Sequence, residues 1–271
     1  YTVPYAMEKN YGQFIQKIAI KENVSLIIPT TDYESYYLGL LKGLPFVLAS
    51  APEVTRVCLD KYETYLFFKD TNFPFVKTVL PSDYPGDIEK IIVKPREGRG
   101  SRNIHFNPES LDQFDDSFIV QPQLFGKEIT TAFYVDKNNL LHGEITFERT
   151  LEHGTTNRAE VVLKYKDEMN DILNRFIKLI KITGPCNLQS IVTDNGIIPF
   201  EINCRYSGTN SIRSQFGFED VRYGLEEYLL GVPLSQVNII PGFALRIYLD
   251  AIYKNMDTTE FMPGLNSSYI F

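Results

Sequence analysis

Residues 186–203 read CNLQSIVTDNGIIPFEIN, and this stretch decides the fold prediction. Asp194-Asn195-Gly196 is typical of a three-residue turn with a bulge, so it predicts an antiparallel hairpin. The two strands are predicted over Asn187–Val192 and Ile197–Asn203, where apolar residues are interleaved with polar ones. Pro199 has no backbone N–H, and it therefore predicts an edge position or a bulge in the second strand.

The register of this hairpin separates apolar from polar side chains. Centring the turn on Asn195 gives apolar and polar pairs on opposite faces: Leu188 with Ile202, Val192 with Ile198, Gln189 with Glu201, and Asn187 with Asn203. A one-residue shift would mix the two classes on both faces, which burial disfavours. Oxygen ligands grouped in this way suit Mg²⁺, although a solvated strand face would show the same pattern.

Composition limits the class of protein. The 271 residues allow one large or two ordinary domains, and 44% hydrophobic with 23% charged residues is typical of soluble globular proteins. A net charge of −7 argues against a dedicated nucleic-acid binder, because it repels phosphate backbones, but it permits a local basic pocket. Cys58, Cys186 and Cys204 lack CxxC spacing and predict reduced thiols. With no apolar run of membrane-spanning length and no signal-peptide pattern, we expect a cytoplasmic protein without a membrane partner.

The first 50 residues alternate between helical and strand patterns. Helices are predicted over Met7–Lys21 and Asp32–Lys42, and strands over Val24–Ile28 and Phe46–Ala49. A strand, a helix and a second strand with short connections favour a parallel α/β unit, which ends near residues 50–52.

The remainder of the chain is richer in strands. Asp60 and Glu63 have the spacing of a capping box, so a helix is predicted from Asp60 to Pro74. Further strands are predicted over Phe75–Leu80, Lys90–Lys94, Phe118–Gln121, Ile129–Val135, Leu140–Thr146 and Arg158–Leu163. Apolar residues at helical spacing predict helices over Asp167–Ile182 and Glu219–Leu230, and Gly231 closes the second.

Residues 91–102 read IIVKPREGRGSR, which places a lysine and a basic glycine loop after an apolar strand. Gly98 and Gly100 allow backbone N–H groups to approach phosphate oxygens, and Arg96, Arg99 and Arg102 add positive charge. The loop lacks the Walker pattern and the third glycine of a dinucleotide fingerprint. A phosphate contact is one interpretation, and a simple hairpin tip is the other.

Taken in order, these motifs resemble the ATP-grasp superfamily, and within it the carbamoyl-phosphate-synthase large-chain-like branch. The resemblance covers about residues 53–250, and residues 1–50 are similar to the end of the domain that precedes the grasp. It implies an α/β (α+β) fold of two α+β subdomains after a partial Rossmann-like α/β domain. The implied boundaries are 1–52 for that partial domain and 53–271 for the ATP-grasp domain, with a lid at about 53–120 and a core at about 121–271.

The resemblance also implies roles for individual residues. Lys61 resembles the first nucleotide-contacting lysine, Lys94 the strand lysine that reaches the phosphates, and Gly98, Arg99, Gly100 and Ser101 the loop that covers them. The run from Val120 to Glu128 resembles the adenine hinge: Gln121 would face the amino group, the backbone of Pro122 and Leu124 the ring edge, and Glu128 the ribose. Gln121 stands where many members have Glu, and Pro122 replaces a charged residue.

Gln189, Glu201 and Asn203 fall where the family places its magnesium ligands, and Arg205 matches its phosphate-contacting arginine. The resemblance makes Arg205 and Lys94 the catalytic candidates, with Mg²⁺ or Mn²⁺ as the ion. Cys204 departs from a common proline, and a trio with one carboxylate leaves the number of ions open.

The implied reaction joins a carboxylate to an amine, with ATP forming an acylphosphate intermediate. The expected partners are small-molecule carboxylate and amine substrates, with no nucleic acid and no membrane, and a homo-oligomer is left open. A non-catalytic ATP-binding subunit and a phosphotransferase are the alternatives. His105, His142 and His153 receive no role, although residues 149–156 are a candidate loop over the site.

Overall fold

The computed structural model describes residues 1–44, 46–98, 100, 102–152, 154–247 and 254. In this part of the chain the α-helices are α1 (Tyr11–Lys21), α2 (Asp32–Gly39), α3 (Pro52–Leu59), α4 (Lys61–Phe68), α5 (Lys166–Leu179), α6 (Asn210–Gln215) and α7 (Asp220–Leu225). The strands are β1 (Leu26–Ile27), β2 (Phe46–Val47), β3 (Ile91–Pro95), β4 (His105–Phe106), β5 (Phe118–Pro122), β6 (Lys127–Val135), β7 (Leu141–Glu152), β8 (Thr155–Val161), β9 (Gly184–Thr193), β10 (Gly196–Asn203) and β11 (Phe243–Leu245). A 3-10 turn spans Pro81–Asp83.

The N-terminal unit has the predicted strand, helix and strand order, and β1 pairs in parallel with β2. Thr31 and Glu34 form a reciprocal capping box at the start of α2, so the first turn of the helix begins at Asp32 as predicted. The helix ends at Gly39, three residues before the predicted end at Lys42.

Asp60 caps α4, since its carboxylate accepts hydrogen bonds from the backbone N–H groups of Tyr62 and Glu63. The reciprocal half of the predicted capping box is wrong. The Glu63 carboxylate lies 3.7 Å from the Arg96 guanidinium and does not accept from the Asp60 backbone N–H. The helix also ends at Phe68, well before Pro74.

Strands β4, β3 and β5 form a three-stranded antiparallel sheet. The predicted strand over Phe75–Leu80 is wrong, because this segment crosses between two sheets. Its Val76 N–H donates to the carbonyl of Pro199, and Val79 forms a single bridge with Val120. It therefore pairs along neither sheet for long enough to form a strand.

The larger sheet has six strands in the order β10, β9, β6, β7, β8 and β11, with antiparallel neighbours throughout. Side chains along β6 alternate between two cores: Phe133 packs with Phe176 of α5 on one face, and Tyr134 packs with Tyr223 of α7 on the other. The sheet is therefore a middle layer between two groups of helices, and its strands carry most of the candidate site.

The β9–β10 hairpin confirms the predicted polar pairs, because Glu201 pairs with Gln189 and Asn203 with Asn187. The register near the turn differs from the prediction. The turn has two residues instead of three, so Val192 faces Ile197 and not Ile198. The extra residue lies beyond Pro199 in β10. The irregularity falls between Pro199 and Glu201, so the prediction that Pro199 sits at an edge or bulge is confirmed.

The ends of the later helices differ modestly from prediction. α5 covers Lys166–Leu179, and α7 continues as a π-helical turn over Glu226–Leu230 before Gly231 closes it in the left-handed conformation at φ 64°. Four short elements were not predicted: α3, α6, β4 and β11. In the described part of the chain, no helix combines the length and the apolar character needed to cross a membrane.

Candidate active site

A cleft of about 430 Å³ lies between the three-stranded and six-stranded sheets. It is lined by Lys94 and Gln121 from the smaller sheet and by Glu128, Gln189 and Glu201 from the larger one. The other predicted site residues on its walls are Lys61, Gly98, Gly100, Pro122, Leu124, Asn203 and Arg205. Every predicted site residue that the structure describes thus lines one cleft, whereas Arg99 and Ser101 lie outside the described residues.

Two buried lysines and one partly buried carboxylate define one end of the cleft. The Lys61 ammonium lies 4.0 Å from the Glu201 carboxylate and donates to the carbonyl of Arg96. Burial alone would raise the pKa of Glu201, but the positive charges of Lys61 and Lys94 hold it below its ordinary value. Glu201 is therefore an anion at neutral pH, surrounded by cations.

Lys94 is 8% exposed, and its ammonium lies 4.8 Å from the centre of the Phe200 ring. Burial lowers the pKa of Lys94 to about 8, although the negative charge of Glu201 acts in the opposite direction. A ligand with several negative charges would offset this unfavourable burial.

Arg205 is held by a residue from the N-terminal unit. Its Nε and Nη2 atoms each lie 3.0 Å from the Asp32 carboxylate, and its Nη1 atom donates to the carbonyl of Tyr206. Burial raises the pKa of Asp32, against the opposing positive charge of Arg205. Asp32 has no role that local sequence patterns predict, because its partner Arg205 lies far along the chain.

The predicted adenine hinge lies where β5 turns into β6. Gln121 is buried and its Nε2 atom donates to the Thr78 hydroxyl at 2.9 Å, which leaves its Oε1 atom as the acceptor for a ligand. Apolar walls beside it are formed by Val76, Ile92, Leu124 and Ile191. One end of the cleft is thus apolar and the other is charged.

The glycine loop after β3 has one arginine with a structural role. The Arg96 guanidinium binds the Asp60 carboxylate through Nε and Nη2, so it supports the start of α4. Gly98, Gly100 and Arg102 line the cleft. The tip of the β7–β8 hairpin meets this loop, since a Cβ on Gly154 would lie 2.5 Å from the carbonyl oxygen of Gly100.

Residues 149–156, a candidate loop in the sequence, are mainly the ends of β7 and β8. Arg149 projects from β7 into the cleft, where its guanidinium donates to the Glu128 carboxylate at 3.1 Å and to the side-chain Oε1 atom of Gln189 at 2.6 Å. The Gln189 amide then donates to Asn203, and the Asn203 amide donates to Glu201. Of the three histidines, His153 lies outside the described residues.

This chain of hydrogen bonds sets the surroundings of the three oxygens proposed to hold a magnesium ion. Glu201 supplies a carboxylate and Asn203 an amide oxygen on the same strand edge, a donor set that fits a hard cation. The Gln189 Oε1 atom accepts from the Arg149 guanidinium at 2.6 Å, whereas Asn203 Oδ1 accepts from the neutral Gln189 amide at 3.3 Å, so the Gln189 oxygen, which already faces a positive charge, fits a cation less well. No group of three His, Cys, Asp or Glu residues suited to a metal occurs among the described residues.

The three cysteines are free and buried beneath the site. The Cys204 sulfur lies 2.6 Å from that of Cys58 and 3.8 Å from that of Cys186. The contact with Cys204 and burial together raise the pKa of Cys58, and burial raises the pKa of Cys204. These thiols are therefore poor nucleophiles at neutral pH.

Sequence reasoning missed four residues that shape this cleft: Asp32, Thr78, Arg149 and Phe200. Three of them, Asp32, Thr78 and Arg149, contact partners that are distant in the sequence. No local motif predicts such a contact. Phe200 carried a usable signal, since it lies one residue before Glu201 in the quoted hairpin.

The sequence model of the ATP-grasp domain family matches residues 58–209, which is more than half of the chain. The chain therefore belongs to the ATP-grasp family. No curated protein matches it.

Solved structures share the fold at low sequence identity. The biotin carboxylase domain of a 2-oxoglutarate carboxylase from Hydrogenobacter thermophilus, in complex with MgADP, ADP and bicarbonate, has a TM-score of 0.69 at 16% identity, over 90% of this chain and 62% of that one. An N5-carboxyaminoimidazole synthetase from Staphylococcus aureus, complexed with ADP, has a TM-score of 0.68 at 14% identity. The match covers 84% of this chain and 66% of that one.

A putative ATP-grasp superfamily protein from Archaeoglobus fulgidus has a TM-score of 0.51 at 20% identity, over 72% of this chain and 60% of that one. This chain thus spans between 60% and 66% of the length of these three structures.

Proposed function

We propose that the cleft binds Mg-ATP and that the chain serves an ATP-dependent ligation of a carboxylate to an amine. The observation that carries this proposal is the convergence of the described candidate residues, from distant parts of the sequence, on one cleft. Membership of the ATP-grasp family supports the nucleotide.

The charged end of the cleft suits the phosphates of ATP. Lys61, Lys94 and Arg205 supply three cations near the partly buried carboxylate of Glu201, while Asp32 neutralises Arg205. A charge-assisted hydrogen bond to phosphate contributes roughly 1.5–3 kcal/mol. The cations would hold the triphosphate and offset the charge that develops during phosphoryl transfer.

The apolar end suits adenine. We expect the Gln121 Oε1 atom to accept a hydrogen bond from the adenine amino group, because the Nε2 atom of this amide already donates to Thr78. The backbone of Pro122 and Leu124 would face the ring edge. Glu128 would bind the ribose, although one of its oxygens already accepts from Arg149.

We assign Glu201 and Asn203 as the magnesium ligands and Gln189 as a positioning residue that orients Asn203. Magnesium bound there, or Mn²⁺ on the same oxygens, would neutralise phosphate charge. With a single carboxylate in the set, one ion fits better than two.

The proposed reaction needs no side-chain nucleophile. The substrate carboxylate would attack the γ-phosphate, the bond to the bridging oxygen would break and ADP would leave, which gives an acylphosphate. The amine would then displace inorganic phosphate from the acyl carbon and lose a proton to form the amide. Lys94 and Arg205 would contribute by binding the reacting phosphate, so catalysis rests on orientation and electrostatics.

The test is phosphate release from Mg-ATP over a matrix of small carboxylates and primary amines. We expect release that requires one member of each class, and its loss in Lys94→Ala. ATP binding without release across the whole matrix would favour a nucleotide-binding subunit. Phosphate transfer to a substrate without any amine requirement would favour a phosphotransferase.

A further inference from the structure

A buried ion pair lies behind the loop that follows Arg205. The Arg213 guanidinium is 1% exposed, and its Nε and Nη2 atoms donate to the two carboxylate oxygens of the fully buried Asp220. Its Nη1 atom donates instead to the Ser207 hydroxyl at 2.5 Å and to the Thr209 hydroxyl at 3.4 Å. Ser207 and Thr209 both line the cleft, so the buried pair is connected to the candidate site through two hydroxyl groups.

The direction of the hydrogen bond between these hydroxyls follows from their partners. Ser207 Oγ and Thr209 Oγ1 lie 2.9 Å apart, a distance at which either atom could be the donor. Thr209 is 2% exposed, and among the described residues Ser207 is the acceptor within reach of its hydroxyl proton. A buried hydroxyl proton without an acceptor is costly to the fold. The Thr209 hydroxyl is therefore the donor, and Ser207 accepts.

Ser207 is consequently left with a hydroxyl that can only donate. One lone pair of its oxygen accepts from Arg213, since a guanidinium has donors alone, and the other accepts from Thr209. The Ser207 proton itself has no acceptor in the described part of the chain. Ser207 is only partly buried, in contrast to Thr209, and it lies on the wall of the cleft. Its proton is thus available to a ligand that supplies an acceptor.

The surroundings of Ser207 indicate which acceptor this is. Basic residues outnumber acidic ones among the described residues that line the cleft, so an anionic oxygen is favoured. Gly208, the next residue, also lines a smaller cavity of about 180 Å³ together with Lys61 and Arg205. Ser207 therefore belongs to the charged end of the cleft, away from the apolar walls proposed for adenine. In Mg-ATP the group furthest from adenine is the γ-phosphoryl group.

We propose that Ser207 is a further phosphate-binding residue, whose hydroxyl donates to an oxygen of the γ-phosphoryl group, and that Arg213 is the positioning residue that fixes its direction. The inference rests on the proposed function, because it adds a contact to the nucleotide of that same site. Since the lone pairs of Ser207 are already occupied, its O–H group points to the ligand before binding. A donor fixed in advance can stabilise charge on a transferred phosphoryl group without reorganisation.

The experiment compares the affinities of the full chain for Mg-ATP and Mg-ADP by calorimetric titration, with no other substrate present. Ser207→Ala should weaken ATP binding about tenfold or more and leave ADP binding within about twofold of wild type, because ADP has no γ-phosphoryl group. Ser207→Thr keeps the hydroxyl and should keep the wild-type preference for ATP over ADP. Ser207→Cys, with a weak S–H donor, replaces the alanine variant if that variant does not fold.

Ser214→Ala is the matched control, because this serine lies on α6 and its hydroxyl donates to the Ser211 carbonyl. Both nucleotide affinities should stay at the wild-type level in this variant. Arg213→Lys tests the positioning role. A lysine cannot grip Asp220 and Ser207 at the same time as a guanidinium does, so the preference for ATP should fall. An unchanged preference in folded Arg213→Lys would overturn the role of Arg213.

An unchanged preference for ATP in folded Ser207→Ala would overturn the assignment of Ser207. Equal losses for ATP and ADP would also overturn it, since they would mean that Ser207 only supports the loop. Either result leaves the nucleotide site itself in place, because the wild type still binds both ligands. A wild type that binds neither nucleotide would instead refute the proposed function, and the role of Ser207 would fall with it.

Discussion

At the scale of single residues, Glu201 is the anion on which the charged end of the cleft depends. Its carboxylate lies between the cations of Lys61 and Lys94 and accepts from Asn203. Neighbouring cations keep this group ionised in spite of burial, so its role is to hold charge in place. A residue of that kind is best tested by a substitution that removes the charge and keeps the shape.

Glu201→Gln should therefore reduce magnesium-dependent ATP turnover by about 10- to 150-fold, corresponding to one lost charge-assisted interaction of roughly 1.5–3 kcal/mol. Gln189→Ala should have a smaller effect, because Gln189 orients Asn203 and brings no charge. The matched control is Glu148→Gln, which removes an exposed carboxylate paired with Lys127. Turnover of Glu201→Gln at the wild-type rate under saturating magnesium would refute the ligand assignment.

The lowered pKa of Lys94 makes the free energy of unfolding depend on pH. Its pKa in the folded protein is about 8, below the ordinary value of 10.5. The folded protein therefore binds this proton less tightly than the unfolded chain does, and the resulting cost to stability is fully present below about pH 8. It is relieved as the pH rises towards 10.5.

ATP binding should reverse this shift, because phosphate oxygens favour the charged lysine. At pH 8.5 we expect the complex to take up most of one proton per ATP, because most free Lys94 is neutral there. Calorimetry in two buffers of different ionisation enthalpy measures this uptake. Lys94→Arg should bind ATP without the uptake, and an unchanged uptake in that variant would assign the proton to another group.

Side-chain contacts between residues that are distant in the sequence could not be predicted from local motifs. The lysines, the amides and Glu201 could be named from local motifs. Arg149 could not be assigned its contacts, since its guanidinium meets Gln189 across strands that no local pattern pairs. Asp32 reads as an ordinary first-turn residue of a helix, and only the fold brings it to Arg205.

At the scale of elements, the β9–β10 hairpin shows which part of a register the sequence specifies. The alternation of polar and apolar residues selects the pairing of Glu201 with Gln189, because a slip would bury polar groups. The alternation does not determine the position of the extra residue. A bulge at the turn and a bulge next to Pro199 both lead to the same pairing of Glu201 with Gln189. In the structure the extra residue is Phe200, directly after Pro199, which has no N–H to donate.

The turn between β5 and β6 depends on a glycine at the proposed adenine hinge. Gly126 has φ 150°, and a Cβ there would overlap the carbonyl oxygen of Val192 in β9. Gly126→Ala should therefore lower the free energy of unfolding by about 2–5 kcal/mol, combining backbone strain with overpacking. The melting temperature and the affinity for ATP should fall together.

Gly86→Ala is the matched control for this change. Gly86 also has a positive φ, of 76°, but nothing lies within 4 Å of where its Cβ would be. It should lose only about 1–2 kcal/mol of stability, from backbone strain, and keep its affinity for ATP. Equal losses in the two variants would show that the contact with β9 is unimportant.

At the scale of the whole molecule, the cleft is assembled from segments that are far apart in the chain. Lys61 follows α3, Lys94 and Gln121 come from the smaller sheet, and Glu201 comes from the edge of the larger one. Its residues were predicted together because their order along the sequence resembles a family, and not because local patterns specify how two sheets face each other. The division at residues 52 and 120 and the carbamoyl-phosphate-synthase-like branch stay predictions.

A ligand that bridges these segments should stabilise the molecule as a unit. Mg-ATP contacts would form only in the folded protein, so a concentration ~100 times the dissociation constant should add about 2.7 kcal/mol to the free energy of unfolding. For a chain of this size the melting temperature should rise by roughly 5–10 °C.

Thermal melts with three nucleotides distinguish the parts of the cleft. ADP should act similarly to ATP, because adenine, ribose and two phosphates keep most of the contacts. GTP should shift the melt much less, since the Gln121 Oε1 atom is an acceptor that matches the adenine amino group and opposes the guanine carbonyl. An equal shift with GTP would refute the hinge assignment while leaving the phosphate end intact. No shift with any nucleotide would mean that the lysines and Glu201 compensate one another without a ligand, and the nucleotide proposal would then fail.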